Sequence, residues 1–243
     1  MHILIISDIH ANLTALEAVL AEAGEDYEAT WCLGDLVGYG PDPNECITRV
    51  RNLPNLKCII GNHDAAALKQ IDSETFNPEA RTAIHWTQEA LSDSSRSFLE
   101  NLPDRIELDH VTLAHGSPRH PVWEYLLDTR TATLNFDYFE TPLCFVGHTH
   151  LPVIYILQEG NYLARIDIPE PDQKLTLPTR AIVNPGSVGQ PRDRDPRAAF
   201  AIYDTEEHTW DYRRVPYDVT AVQERMQEAG LPERHIHRLS AGW

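Results

Sequence analysis

Three apolar runs near the start of the chain stop, at a constant interval, on side chains able to hold a cation or a proton. HILIIS (2–7) ends in Asp8-Ile9-His10, ATWCL (29–33) in Gly34-Asp35, and LKCII (56–60) in Gly61-Asn62-His63-Asp64. Asp8 to Asp35 and Asp35 to Asn62 each span 27 residues, about one βαβ unit. Between the first two runs, 12–23 has helical periodicity, with Leu13, Leu16 and Leu20 on one face, Asn12 at its N-cap and Gly24 just past its end. Between the second and third, a Gly/Pro loop leads to a helix over 43–52, with Pro43 in its first turn. This β-α-β-α-β order predicts parallel strands whose carboxyl ends share one sheet edge, where ligands of open α/β folds bind.

Further along, 64–101 reads as polar helices, one opening at Asn77-Pro78. Strand runs follow at 105–109, 111–114, 143–146, 152–157, 161–166 and 180–183. A hairpin is expected over 198–203 and 208–215, and a last amphipathic helix over 218–229. The run at 111–114 ends in His115-Gly116 and that at 143–146 in Gly147-His148-Thr149-His150. No internal repeat or dividing linker is visible, so the expectation is a single α/β domain over 1–243 with two packed sheets flanked by helices.

Five strand ends thus deliver Asp, His, Asp, Asn, His, His and His to one rim. Imidazole and hard oxygen donors without thiolate suit divalent ions of the manganese, iron and zinc class. Seven ligands exceed what one ion takes, and two ions sharing a carboxylate fit the set, a geometry that clamps both oxygens of an in-line displacement. The chain carries 20 basic and 37 acidic residues, a net charge of −17. That balance argues against an extended nucleic-acid partner, whose affinity comes from cationic side chains neutralising phosphates. It leaves room for a small phosphate ester held by bound cations. No apolar stretch reaches 18 residues and MHILIISDIH has no basic leader region, so neither membrane span nor secretory signal is expected. Four cysteines without a close pair point to a reducing cytoplasm.

The motifs D-x-H, G-D, G-N-H-D, H-G and G-H-T-H, in this order, resemble the calcineurin-like metallophosphoesterase superfamily. SDIHAN, GDLVGYGPDP, HGSPR and NPGSVGQPR are similar to its small bacterial and archaeal phosphodiesterase-type branch, and the match runs from Asp8 to about Arg192. The resemblance implies a four-layer α/β/β/α sandwich with the site at its rim. It implies Asp8, His10, Asp35 and His150 around one metal, and Asp35 (bridging), Asn62, His115 and His148 around a second. Manganese is the expected ion, with iron, zinc or nickel as alternatives. The implied reaction is hydrolysis of small phosphodiesters by metal-activated hydroxide, with His63 stabilising the transition state or protonating the leaving oxygen. Alternatives are a phosphatase of small phosphomonoesters or dinucleoside polyphosphates, and a non-catalytic scaffold with the same fold.

One departure is informative. Protein Ser/Thr phosphatases of the superfamily carry G-D-x-V-D-R-G and G-N-H-E, whereas this chain has Gly34-Asp35-Leu36-Val37-Gly38-Tyr39-Gly40 and ends its third motif in Asp64. The phosphate-gripping arginine is missing, and Arg119 and Arg192 are the candidates to replace it. Arg192 also alternates with Asp193, Arg194 and Asp195 in what reads as a self-paired loop. Asp64 either caps the following helix or orients His63. Trp123 and Tyr125 either stack on a base or pack as loop aromatics, and Tyr39 is similar. His2, His85, His110, His120, His208, His235 and His237 read as ordinary surface or core residues.

Overall fold

The computed structural model describes residues 1–243. The anticipated opening is present as β1 (His2–Ile6), α1 (Leu13–Ala23), β2 (Ala29–Cys32), α2 (Pro43–Arg51) and β3 (Lys57–Cys58). The Asn12 side chain caps α1 by accepting from the Ala15 N–H at 3.0 Å. Next come α3 (Asn62–Ala67), α4 (Pro78–Ala90), α5 (Asp93–Glu100), β4 (Arg105–Glu107) and β5 (Val111–Ala114). The chain continues through α6 (Thr129–Asn135), β6 (Leu143–Phe145), β7 (Pro152–Ile156), β8 (Arg165–Asp167) and β9 (Gln173–Thr176). It closes with β10 (Ala181–Pro185), β11 (Ala198–Asp204), β12 (Thr209–Val215), α7 (Val219–Glu228) and α8 (Glu233–Ala241).

Two mixed six-stranded sheets result, ordered β3-β2-β1-β11-β12-β9 and β4-β5-β6-β10-β7-β8. β1, β2 and β3 run parallel, as do β5, β6 and β10. The alternation along β1 shows how the layers are held. Ile3 and Ile5 point between the sheets, where Trp31, Phe145, Tyr203 and Trp210 fill the core. Leu4 and Ile6 point outward onto Leu16 and Val19 of α1 and Ile47 and Val50 of α2. On the far side, Cys144, Tyr155 and Ile182 pack against Ala132 of α6 and Phe136. A strand buried on both faces reads as a continuous apolar run, which is why β1 and β10 are so plain in the sequence.

The differences from expectation lie where side chains carry no apolar signal. β9, with sequence QKLT, is held by backbone pairing to β12. The strand expected over 161–166 is confined to Arg165–Asp167, an edge strand exposed at every position. α6 and α8 were not expected. In α8 only His235, Ile236 and Leu239 are buried, too short a stripe among charged residues to announce a helix.

Candidate metal centre

Every sequence-flagged strand end arrives at one rim. Asp8 and His10 follow β1, Asp35 follows β2, Asn62 and His63 open α3, His115 follows β5, and His148 and His150 lie between β6 and β7. Asp8, His10, Asp35, Asn62, His115, His148 and His150 are at most 2% exposed. Burial of so many polar groups costs free energy unless something pairs with them. The backbone is strained here too: Asp8, His10, Asp35, His148 and His150 have φ between +50° and +65°. Such left-handed residues cost of order 1–3 kcal/mol each and gather at functional sites.

The surrounding chain dictates which imidazole nitrogen faces inward. Backbone carbonyls accept from Nδ1 of His10 (Val37, 3.1 Å), His115 (Leu33, 2.8 Å) and His150 (Gln190, 2.5 Å). A proton held on Nδ1 leaves the Nε2 lone pair free for a metal. The His148 N–H donates to both Asp8 oxygens at 3.1 Å, and Ser7 Oγ donates to Asp8 Oδ2 at 2.6 Å. The His63 N–H donates to Asp35 Oδ1 at 2.8 Å. Gly61 must be glycine because any Cβ would collide with the Asp35 carboxylate. The NPGSVGQPR segment braces the rim. Asn184 Nδ2 donates to the Gly147 carbonyl at 2.6 Å and Ser187 Oγ to the Asp8 carbonyl at 2.8 Å.

The donor set fits divalent ions on one direct observation. Asp35 Oδ2, His148 Nε2 and His63 Nδ1 are buried without a hydrogen-bond partner. Asp35 Oδ2 lies 3.3 Å from His115 Nε2 and 3.6 Å from His10 Nε2. Ligand atoms cluster within 4.8 Å as Asp8-His10-His150, as His10-Asp35-His63 and as Asp35-His115-His148, so Asp35 belongs to a group on either side. The Asn62 Oδ1 sits 3.1 Å from His115 Nε2. His63, read from the resemblance as a non-ligand, lies within the His10-Asp35 cluster.

Burial lowers His10 to about 3 and pushes His148, His150 and His63 well below the usual imidazole range. Burial also raises Asp8 to about 7. His115 goes the other way. Burial opposes its charge, but the carboxylates of Asp35 and Asp8 outweigh it and raise it to about 9. The upward shift records the negative charge gathered around His115, a demand that a divalent cation would meet in place of a proton.

The structure separates the remaining candidates. The Asp64 carboxylate makes no hydrogen bond to the His63 ring. Its Oδ1 accepts from the Val37 N–H and its Oδ2 from the Gly61 N–H, each at 3.0 Å, so it caps α3 and ties the loop after β2 to it. Arg119 is committed to the Glu124 carboxylate and is not a free phosphate-gripping group. Arg192 lies beside the centre, its Nη2 donating to the Tyr39 hydroxyl (3.4 Å) and Gln190 Oε1 (3.1 Å). Its guanidinium carbon stands 5.8 Å from the centre of the Tyr39 ring. That ring packs on His10 (4.6 Å between centroids), His63 (4.3 Å) and His235 (4.4 Å). Tyr39 is thus a packed loop aromatic and His235 a core residue, each one of the two placements the sequence left open; that they pack on one another beside the centre had no sequence signal.

This rim of Asp and His residues on a two-sheet α/β/β/α sandwich is that of the calcineurin-like phosphoesterases, and the chain belongs to that superfamily: its domain model matches residues 1–208. A metallophosphoesterase from Sphaerobacter thermophilus is 47% identical and superimposes with a TM-score of 0.90, each chain covered in full. An uncharacterised protein of Methanocaldococcus jannaschii is 37% identical over 99% of this chain and 98% of its own length. A symmetrical bis(5′-nucleosyl)-tetraphosphatase of Psychromonas ingrahamii is 31% identical, over 51% of this chain and 41% of that protein.

Proposed function

We propose that the protein is a dinuclear metal-dependent hydrolase of small phosphodiesters. The observation that carries the reading is Asp35 Oδ2, buried, unpartnered and common to two clusters of potential ligands. Asp8, His10, Asp35 and His150 would hold one ion; Asp35, Asn62, His115 and His148 the other. Four imidazoles among the donors favour Mn²⁺, Fe or Zn over Mg²⁺, which prefers oxygen ligands and retained waters. When bound, the ions would polarise the phosphoryl group and lower the pKa of water. The protein's own contribution is orientation and charge. Arg192, which lies beside Tyr39, the residue in the motif position that is arginine in protein phosphatases of the superfamily, neutralises phosphoryl oxygen charge. His63, which burial keeps neutral in the free protein, gives a proton to the departing alcohol oxygen once the negative charge of the bound phosphate ester restores its imidazolium form.

A second reading, cleavage of dinucleoside polyphosphates, is favoured by the partial likeness to the tetraphosphatase. We place the protein in the cytoplasm as one domain, consistent with four buried free cysteines and no helix long and apolar enough to cross a membrane. Hydrolysis of bis(p-nitrophenyl) phosphate with Mn²⁺, its loss on exhaustive chelation, and about two metal ions per chain by elemental analysis are the expected results. Full activity in metal-free protein refutes the proposal.

A further inference from the structure

The segment after His115 is pinned with more contacts than a surface loop needs. The Gly116 N–H donates to the Pro121 carbonyl at 2.5 Å and the His120 N–H to Ser117 Oγ at 2.9 Å. Glu124 is the anchor. Its carboxylate accepts from Ser117 Oγ at 2.7 Å and Asn135 Nδ2 at 2.8 Å, and it pairs with Arg119. A Cβ on Gly116 would lie 2.7 Å from the Glu124 amide nitrogen and 2.9 Å from that of Trp123, so only glycine lets the segment cross there.

With Glu124 held in that network, its two neighbours meet the metal centre. The Tyr125 ring stacks on His148, 3.8 Å between centroids and 27° between planes. Trp123 stands edge-on to Phe76 at 4.9 Å, and Phe76 edge-on to His63 at 5.1 Å. Trp123 is also 6.3 Å from His148. Despite these contacts Trp123 remains 39% and Tyr125 46% exposed, so ring surface stays open to a ligand at the rim.

We propose that Trp123 and Tyr125 form a stacking platform for a nucleobase, which makes the substrate a nucleoside-bearing phosphoester, and that Glu124 is its positioning residue. This rests on the phosphoesterase reading above. Every base has a flat face that an exposed aromatic ring can cover, a contact worth roughly ten-fold or more in affinity. The shared chemistry is a planar aromatic group close to a phosphoryl group, so a simple aryl ester must be tested beside a nucleoside.

Titration calorimetry of the Mn²⁺-loaded protein with three non-hydrolysable phosphonates, those of adenosine at C5′, of ribose at C5 and of benzyl, separates the cases. The expected result is adenosine phosphonate binding roughly ten-fold or more tightly than ribose phosphonate. Trp123→Ser, Tyr125→Ser and Glu124→Ala should each erode that preference. Trp123→Phe and Tyr125→Phe should keep most of it, because stacking needs the ring and not its polar atom. Equal affinities for adenosine and ribose phosphonates in wild type, with bis(p-nitrophenyl) phosphate still hydrolysed, overturn the platform and leave the phosphoesterase standing. Benzylphosphonate matching adenosine phosphonate overturns the nucleobase assignment. Neither hydrolysis nor phosphonate binding overturns both readings together.

Discussion

The Nε2 atoms of His10 and His150 lie 3.0 Å apart, and each ring already holds a backbone carbonyl on its Nδ1. Burial keeps both imidazoles neutral. Two lone pairs therefore face one another, with Asp8 Oδ1 3.3 Å from His150 Nε2 and 3.9 Å from His10 Nε2. A cation between these three groups turns mutual repulsion into three attractive contacts.

Metal should accordingly stabilise the folded chain. A ligand that binds only the native state at about 1,000 times its Kd adds roughly 4 kcal/mol. For a chain of this length that is a rise in Tm of roughly 8–16 °C. Differential scanning fluorimetry of chelated protein with and without Mn²⁺ should show it, and His150→Ala should show a smaller rise. An unchanged Tm in wild type at saturating metal would contradict this reading of the His10–His150 pair.

Asp35 and His10 should differ in how many ions they control. Asp35 belongs to groups on both sides of the centre, whereas His10 belongs only to groups on the Asp8 side. Asp35→Ala should empty both sites and His10→Ala chiefly one, read as metal equivalents in the purified variants. Equal losses would remove Asp35 from its bridging role.

What the sequence disclosed was the part of the site carried by strand ends. An apolar run that stops on Asp or His leaves little choice of where that side chain sits, and all five ends converge as expected. Arg119 and Arg192 were indistinguishable because the decisive contact, Arg192 to Tyr39, spans 153 residues. Asp64 caps α3 through the Gly61 amide, one of the two roles its position offered, whereas its second bond, to the Val37 amide, lies outside any local pattern. The positive φ of Asp8, His10 and Asp35 was invisible as well, since Asp and His enter the left-handed region without any glycine to mark it. β9 and α8 were missed because one is polar and the other buries too few apolar side chains.

Acid should loosen the segment over the site through Glu124. Burial would raise its carboxyl, but the hydrogen bonds from Arg119, Asn135 and Ser117 outweigh that and lower it to about 2. A folded-state pKa below the unfolded one stabilises the protein above the unfolded value, and that contribution disappears as pH falls from about 4.5 towards 2. Partial exposure screens the pair, so Glu124→Gln should cost about 1 kcal/mol at pH 7, or roughly 2–4 °C in Tm. The gap between wild type and variant should shrink as pH is lowered through that window. A gap that stays constant between pH 7 and pH 3 would show that the charge of Glu124 is not what holds the segment.

The role of His63 depends on how much help the leaving oxygen needs. A nitrophenolate departs readily without a proton, whereas the alkoxide of a sugar or nucleoside is a far stronger base and departs poorly without one. General acid catalysis contributes about 10²–10⁴-fold, and the larger share belongs to the poorer leaving group. His63→Ala should therefore lose far more kcat on an alkyl or nucleoside diester than on a nitrophenyl diester. The buried His63 Nδ1 has no partner within the protein, so the substitution strands no hydrogen-bonding group on that atom. If His63 instead steadies phosphoryl charge, both substrates should lose activity by similar factors. Its place within reach of His10 and Asp35 allows a third outcome, in which the variant also loses metal. Rates on the two diesters, measured with metal content on the same preparation, separate the three. A larger loss on the alkyl diester at full metal occupancy is the result expected of a proton donor.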